Sequence, residues 1–143
     1  MRPLMLFLFF VLSAHTGLAQ QQYLMLTAGG GIVGTALVYK IGYDGVVLKG
    51  RGIGNITFDE RAKLKRCVTR KYFRKTRSLL SQTSGFDHPG NVYSSISLFE
   101  DQTERRITWG DVAYPAPANA QKLSRKINSK LATLTFEQAP SRE

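Results

Sequence analysis

Asp87 and His88 are adjacent and serines are frequent elsewhere, so the residue types of a Ser–His–Asp hydrolase are all present. Adjacent residues on a turn rarely supply two members of such a triad, and the chain has no G-x-S-x-G elbow to expose a nucleophile. His88 therefore reads as a turn residue packed near Pro89, and no catalytic residue is expected. His88, Asp87 and Cys67 show none of the spacings by which such ligands hold a metal. The single Cys excludes an internal disulfide and a four-cysteine zinc site. Neither a metal site nor a small-molecule cofactor is expected.

Gly29-Gly30-Gly31-Ile32-Val33-Gly34 matches G-x-G-x-x-G in form. The dinucleotide fingerprint needs that turn to open a helix within a βαβ unit, so that the pyrophosphate meets the helix N-terminus. Here β-forming residues follow, and then a hairpin. The segment reads instead as a loop between two strands, whose glycines let another backbone approach closely. Gly29, Gly30, Gly31 and Gly34, with His88 on its own turn, are the candidate partner-binding residues.

Residues 61–77 hold nine basic side chains, and Lys63, Arg66, Arg70, Arg74 and Arg77 recur at spacings of 3, 4, 4 and 3. That is one stripe of a helix, opposite Leu64, Cys67, Val68, Tyr72 and Leu79. The stripe is the candidate anion-binding face. A phosphate polymer, an anionic lipid surface or an acidic protein would each be attracted to it. A solvated face that keeps the protein soluble is the competing reading.

The elements that position these residues follow from periodicity and punctuation. Tyr23–Thr27, Thr35–Ile41 and Val46–Lys49 read as strands, with Asp44-Gly45 as a hairpin signal. Thr57-Phe58-Asp59-Glu60 has the form of a capping box opening a helix to about Leu80. Asn91–Phe99 and Arg105–Trp109 give two more strands. Pro115 and Pro117 enforce an extended approach to a last helix from Ala118 to about Leu134. The expectation is an α+β domain: a mainly antiparallel five-stranded sheet in the order βββ-α-ββ-α, with both helices on one face. Cys67 reads as a buried small hydrophobe.

The chain has 143 residues, 43% of them hydrophobic, with 20 Lys and Arg against 10 Asp and Glu. Those figures fit one globular domain and exclude a multidomain enzyme, a collagenous chain and a disulfide-stapled miniprotein. Met1-Arg2, the apolar run Leu4–Leu12 and the small residues Gly17 and Ala19 form a signal-peptide pattern over residues 1–19. Its apolar run is about half the ~20 residues that a spanning helix needs, and no later segment is long and apolar enough. Export to the periplasm or the extracellular space is expected, with cleavage after Ala19, a domain over 20–136 and a frayed tail over 137–143. Asn55-Ile56-Thr57 is a glycosylation sequon that matters only in a eukaryotic secretory pathway.

The Gly29–Gly34 loop, the His88-Pro89-Gly90-Asn91-Val92-Tyr93 turn, and Trp109-Gly110-Asp111 before Pro115-Ala116-Pro117 are similar in layout to small exported bacterial proteins of unassigned function. The order of glycine-rich loop, helix, hairpin and C-terminal helix also resembles the emfourin family, small protein inhibitors of thermolysin-like metalloproteases. The chain departs from that pattern in its signal peptide, its basic first helix and the tripeptide Gly29-Gly30-Gly31. No inhibitory residue carries over position by position. The resemblance implies a non-enzymatic binding protein, in its narrower form a proteinase inhibitor, whose partner is a protein such as a protease. The alternative is an electrostatic adaptor that holds an anionic polymer or membrane surface through its basic helix face.

Overall fold

The computed structural model describes residues 21–83 and 85–139. The expected signal peptide lies outside those residues. In chain order the elements are β1 (Tyr23–Gly30), β2 (Ala36–Gly42), β3 (Val46–Gly52), β4 (Thr57–Lys63), α1 (Arg66–Gln82), β5 (Asp87–His88), β6 (Val92–Glu100), β7 (Thr103–Trp109), α2 (Ala118–Leu131) and β8 (Glu137–Gln138). The strands form one sheet in the order β5-β7-β6-β1-β2-β3-β4-β8. Every pairing is antiparallel except the short β5–β7 contact.

Strand alternation sends one set of side chains to the helices. Leu24 lies between Ile41 and Leu98, and Ile96 pairs with both Leu26 and Ile107. Val47 extends that apolar layer through its pairing with Ile41. Tyr72, Phe73, Leu79 and Leu80 of α1 and Ala120, Leu123, Ile127 and Leu131 of α2 complete the core on the same face. Burial of each large side chain contributes about 1.5–3 kcal/mol, which is what holds both helices down. The α+β class and the two-helix cover follow the pattern read from the sequence.

The sheet has eight strands among the described residues, against the five expected. The largest departure is Thr57–Lys63, where a capping box was expected and β4 is found. Phe58, Glu60 and Ala62 are half-buried and alternate with exposed neighbours, a period of two that fits a strand. Glu60 bonds to Lys49 on β3 at 2.7 Å instead of returning to a helix amide. Without β4, the outer edge of β3 would be left unpaired, and that tertiary demand overrides the local capping signal.

The helix therefore starts at Arg66, after Lys65, with no side-chain cap. Its buried face is Thr69, Tyr72, Phe73, Thr76, Leu79 and Leu80, rotated from the stripe expected. Leu64 is buried but precedes the helix, and Cys67 is exposed rather than buried. Two threonines at core positions hid the true face from an apolar count. At the other terminus, Glu137 and Gln138 pair with Arg61 and Glu60 of β4, so the first two residues of the segment expected to fray form a short edge strand; residues 140–143 lie outside the described residues.

Candidate functional site

Antiparallel pairing places four connections at the same end of the sheet. They are the β1–β2 loop, the β3–β4 loop, the approach to β6 and the exit from β7. The strands they serve run side by side, β7-β6-β1-β2-β3, and four interstrand gaps of about 4.8 Å make this end roughly 19 Å wide.

Six large apolar side chains are exposed there. They are Ile32 and Val33 from the first loop, Ile53 from the second, Val92 at the start of β6, and Val112 and Tyr114 after β7. Ile32 and Val112 are 104% and 97% exposed, so none of the described residues covers them. Exposed apolar side chains gathered at one place are a common feature of surfaces by which proteins dock. In a chain with 20 Lys and Arg, none falls within residues 29–36, 53–57, 89–93 or 110–120. These four segments, which form a crown on the sheet, carry no cation, and exposed Arg51 stands beside them at the end of β3.

Backbone contacts lock three of the four loops together. The Gly31 amide donates to the Asn91 carbonyl at 2.7 Å, and the Asp111 amide donates to the His88 carbonyl at 3.1 Å. A Cβ at Gly110 would lie 2.8 Å from Tyr93 Cα, and one at Gly90 would lie 2.9 Å from the Asp111 amide nitrogen. Only glycine allows these strands and loops to approach so closely. Gly29 is similarly tight, since a Cβ there would meet Ala36 Cβ and Tyr93 Oη at 3.0 Å.

The glycines singled out by sequence therefore have different roles. Gly29 and Gly30 lie within β1 and make the knit possible. Gly31 and Gly34 face open space and shape the loop. His88 lies in β5, half-buried, with its ring stacked on Tyr114 at 4.0 Å and set edgewise to Phe86 at 4.9 Å. It braces the crown by holding Tyr114. Sequence reasoning missed Ile53, Val92, Val112 and Tyr114. Their one available signal was an apolar residue inside a Gly- and Pro-bounded loop, where no core periodicity explains it.

The expected basic stripe is divided. Lys63 ends β4 and is not in the helix. Arg77 is bonded to Glu100, which also accepts from Arg105 at 3.1 Å. The hydrogen bond from Arg77, reinforced by the positive charges of Arg77 and Arg105, holds the Glu100 carboxyl below its ordinary pKa, and the same bond raises that of Arg77. Arg66 and Arg70 line a cleft of about 660 Å³ beside the β2–β3 turn, with Tyr23, Lys40 and Tyr43. There Lys40 Nζ lies 4.2 Å from the Tyr23 ring centre, and the Arg70 guanidinium lies 5.8 Å from that of Tyr43. Arg74 lies near Lys75, whose pKa its charge helps to lower.

Among the described residues, no three His, Cys, Asp or Glu side chains gather as a metal site, and no helix is long and apolar enough to cross a membrane. No protein-family model matches the chain, and no curated protein is significantly similar to it.

Proposed function

We propose that this chain is an exported, non-enzymatic binding protein whose apolar crown docks on a folded protein partner. The observation that carries this reading is the gathering of Ile32, Val33, Ile53, Val92, Val112 and Tyr114 from four loops onto one end of the sheet. Loops held by a rigid sheet lose little entropy on binding, so their apolar area converts efficiently into affinity. The crown is the size of an interface centre, and the polar loop residues around it would form a rim.

The narrower form is a proteinase inhibitor, which the emfourin-like layout favours. Inhibition by this route needs a rigid projecting loop set that fills an apolar cleft, and the 31–35 loop beside Val92 has that form. Titration of the full chain against a panel of thermolysin-like metalloproteases tests it. The expected result is inhibition that is lost in an Ile32→Asp, Val112→Asp variant which melts like the parent. An absence of inhibition at micromolar concentration across the panel removes the inhibitor form. Inhibition unchanged by the two aspartates removes the crown as its source.

The adaptor alternative through Lys63, Arg66, Arg70, Arg74 and Arg77 has weaker support in that form. Only Arg66 and Arg70 share one cleft, Lys63 lies in β4, and Arg77 is already paired.

A further inference from the structure

The two helices carry ten of the chain's 20 Lys and Arg, and neither carries an Asp or Glu. Where α1 and α2 meet, they leave a groove of about 380 Å³ with Lys75 on one wall and Lys122 and Lys126 on the other. Leu79 and Leu123, both buried, lie at its base, and Ser78 adds a hydroxyl. Lys122 and Lys126 are one helical turn apart, about 6 Å along α2. Among the described residues, none of the three lysines is in an ion pair.

The lysines work against one another. The ammonium of Lys126, followed by partial loss of hydration and the charges of Lys71, Arg74 and Lys122, holds Lys75 below the ordinary lysine pKa. A fold that needed these side chains only for solubility would separate them, since like charges in proximity destabilise the folded chain. An anion in the groove removes that repulsion. Independently of the crown, we infer that the α1–α2 groove is a binding site for a linear polymer of phosphate groups, held by Lys75, Lys122 and Lys126 with Lys71 and Arg74 at its margin.

The chemistry of the groove selects that class. Ammonium groups act as point charges that suit phosphate oxygens without the fixed geometry a carboxylate–guanidinium fork demands. The groove lining contains no aromatic ring, so bases or sugars would have no stacking platform and the polymer is read by its charge. Lysines on two facing walls enclose a strand, whereas a lipid surface would meet only the outer cations.

Inorganic polyphosphate is the probe, and its binding to the full chain is measured by calorimetry across a salt series. Three lysine contacts to a flexible polyanion contribute about 2 to the slope of log affinity against log salt. The variant Lys75→Gln, Lys122→Gln, Lys126→Gln should lose that slope and bind about 10–100-fold more weakly. Its melting temperature should match or exceed that of the parent, because the repulsion is gone. Arg51→Gln, Arg61→Gln, Arg106→Gln removes the same charge from exposed positions elsewhere and should bind nearly as the parent does. Equal weakening in both variants overturns the groove as the site. Orthophosphate binding as tightly as polyphosphate overturns the polymer. Anionic phospholipid vesicles binding while polyphosphate does not would identify a lipid surface and overturn it as well.

Discussion

Replacing Gly30 by Ala should be far more damaging than replacing its neighbour Gly31, although both glycines have positive φ. Gly30 has φ +101° and Gly31 has φ +77°. Alanine in the left-handed region costs about 1–2 kcal/mol at either position. At Gly31 no atom of the described residues lies within 4 Å of the new methyl, so that strain is the whole effect. At Gly30 the methyl would lie 2.9 Å from Asn91 C and 3.0 Å from Val92 Cα, and nearer still to the Asn91 carbonyl oxygen. The end of β1 must then move away from the 89–92 segment. The bond from the Gly31 amide to the Asn91 carbonyl, 2.7 Å long, is lost with that movement, at about 1 kcal/mol. With displaced backbone costing about another 1 kcal/mol, Gly30→Ala should destabilise by about 3–4 kcal/mol in all. The difference of about 2 kcal/mol corresponds to roughly 1 M in the urea midpoint for a domain of this size. Trp109 is the chain's one tryptophan and pairs with Ser94 and His88 beside the crown, so its fluorescence follows the transition. Midpoints that agree within about 0.3 M would refute the claim that the crown is knit by backbone contact. A Gly31→Ala variant less stable than Gly30→Ala would refute it too.

Three other outcomes follow from the packing. Glu100→Gln should lower stability by about 1–2 kcal/mol at neutral pH, since two guanidiniums lose their shared carboxylate, though both remain partly exposed and screened. The Glu100 pKa is depressed on folding, so its contribution is full above the unfolded carboxylate pKa and is lost as pH falls through the folded one. Acid titration of parent and variant by circular dichroism should therefore converge at low pH. Thr76→Val should be neutral or stabilising by up to about 1 kcal/mol, because the buried Thr76 hydroxyl has no hydrogen-bond partner among the described residues; a clear loss in thermal melting would show that the hydroxyl is satisfied. Cys67 is exposed on α1, so the native chain should titrate one thiol with a disulfide reagent without denaturant. Reaction only after unfolding would restore the buried reading.

Local punctuation was sufficient for the sheet's centre. Asp44-Gly45 between apolar runs is the β2–β3 turn, and the Asp44 carboxylate accepts the Val46 amide at 3.1 Å. The strand read over Asn91–Phe99 likewise survives as β6, but its burial does not alternate: Ser95 and Ser97 are buried with Ile96 and Leu98, and Val92 is exposed. Residues 57–63 defeated the same method because two signals overlap there. A capping box needs only Thr57 and Glu60, whereas the strand is revealed by the alternating burial of Phe58, Glu60 and Ala62, which depends on β3. The crown was half visible for a different reason. Sequence marks glycines, which make close approach possible, but the exposed apolar residues beside them matter only once antiparallel pairing has brought four loops to one end. The lysine groove needed α1 and α2 side by side, and Lys122 and Lys126 form no pattern with Lys75 along the chain.

The distribution of charge separates function from solubility more sharply than its amount does. A soluble surface needs cations and anions interspersed over all its exposed parts. Here the four crown segments carry no cation, and the two helices carry ten cations with no acid. Where the fold neutralises charge it does so by direct pairing, as Lys49 with Glu60 and as Arg77 and Arg105 with Glu100. Those pairs lie on the sheet and at its margin with α1. Among the described residues no acid pairs with the groove's lysines, and the pKa of Lys75 is lowered as a result. One exposed region thus gathers apolar side chains, which favours a protein surface, and another gathers unpaired cations, which favours an anion. The loop carrying Val112 and Tyr114 runs within five residues into Asn119 at the groove's end. A partner on the crown and a polymer in the groove would therefore meet along one continuous stretch of chain. Each should alter the other's affinity if that stretch moves on binding, and both affinities should be independent if it is rigid.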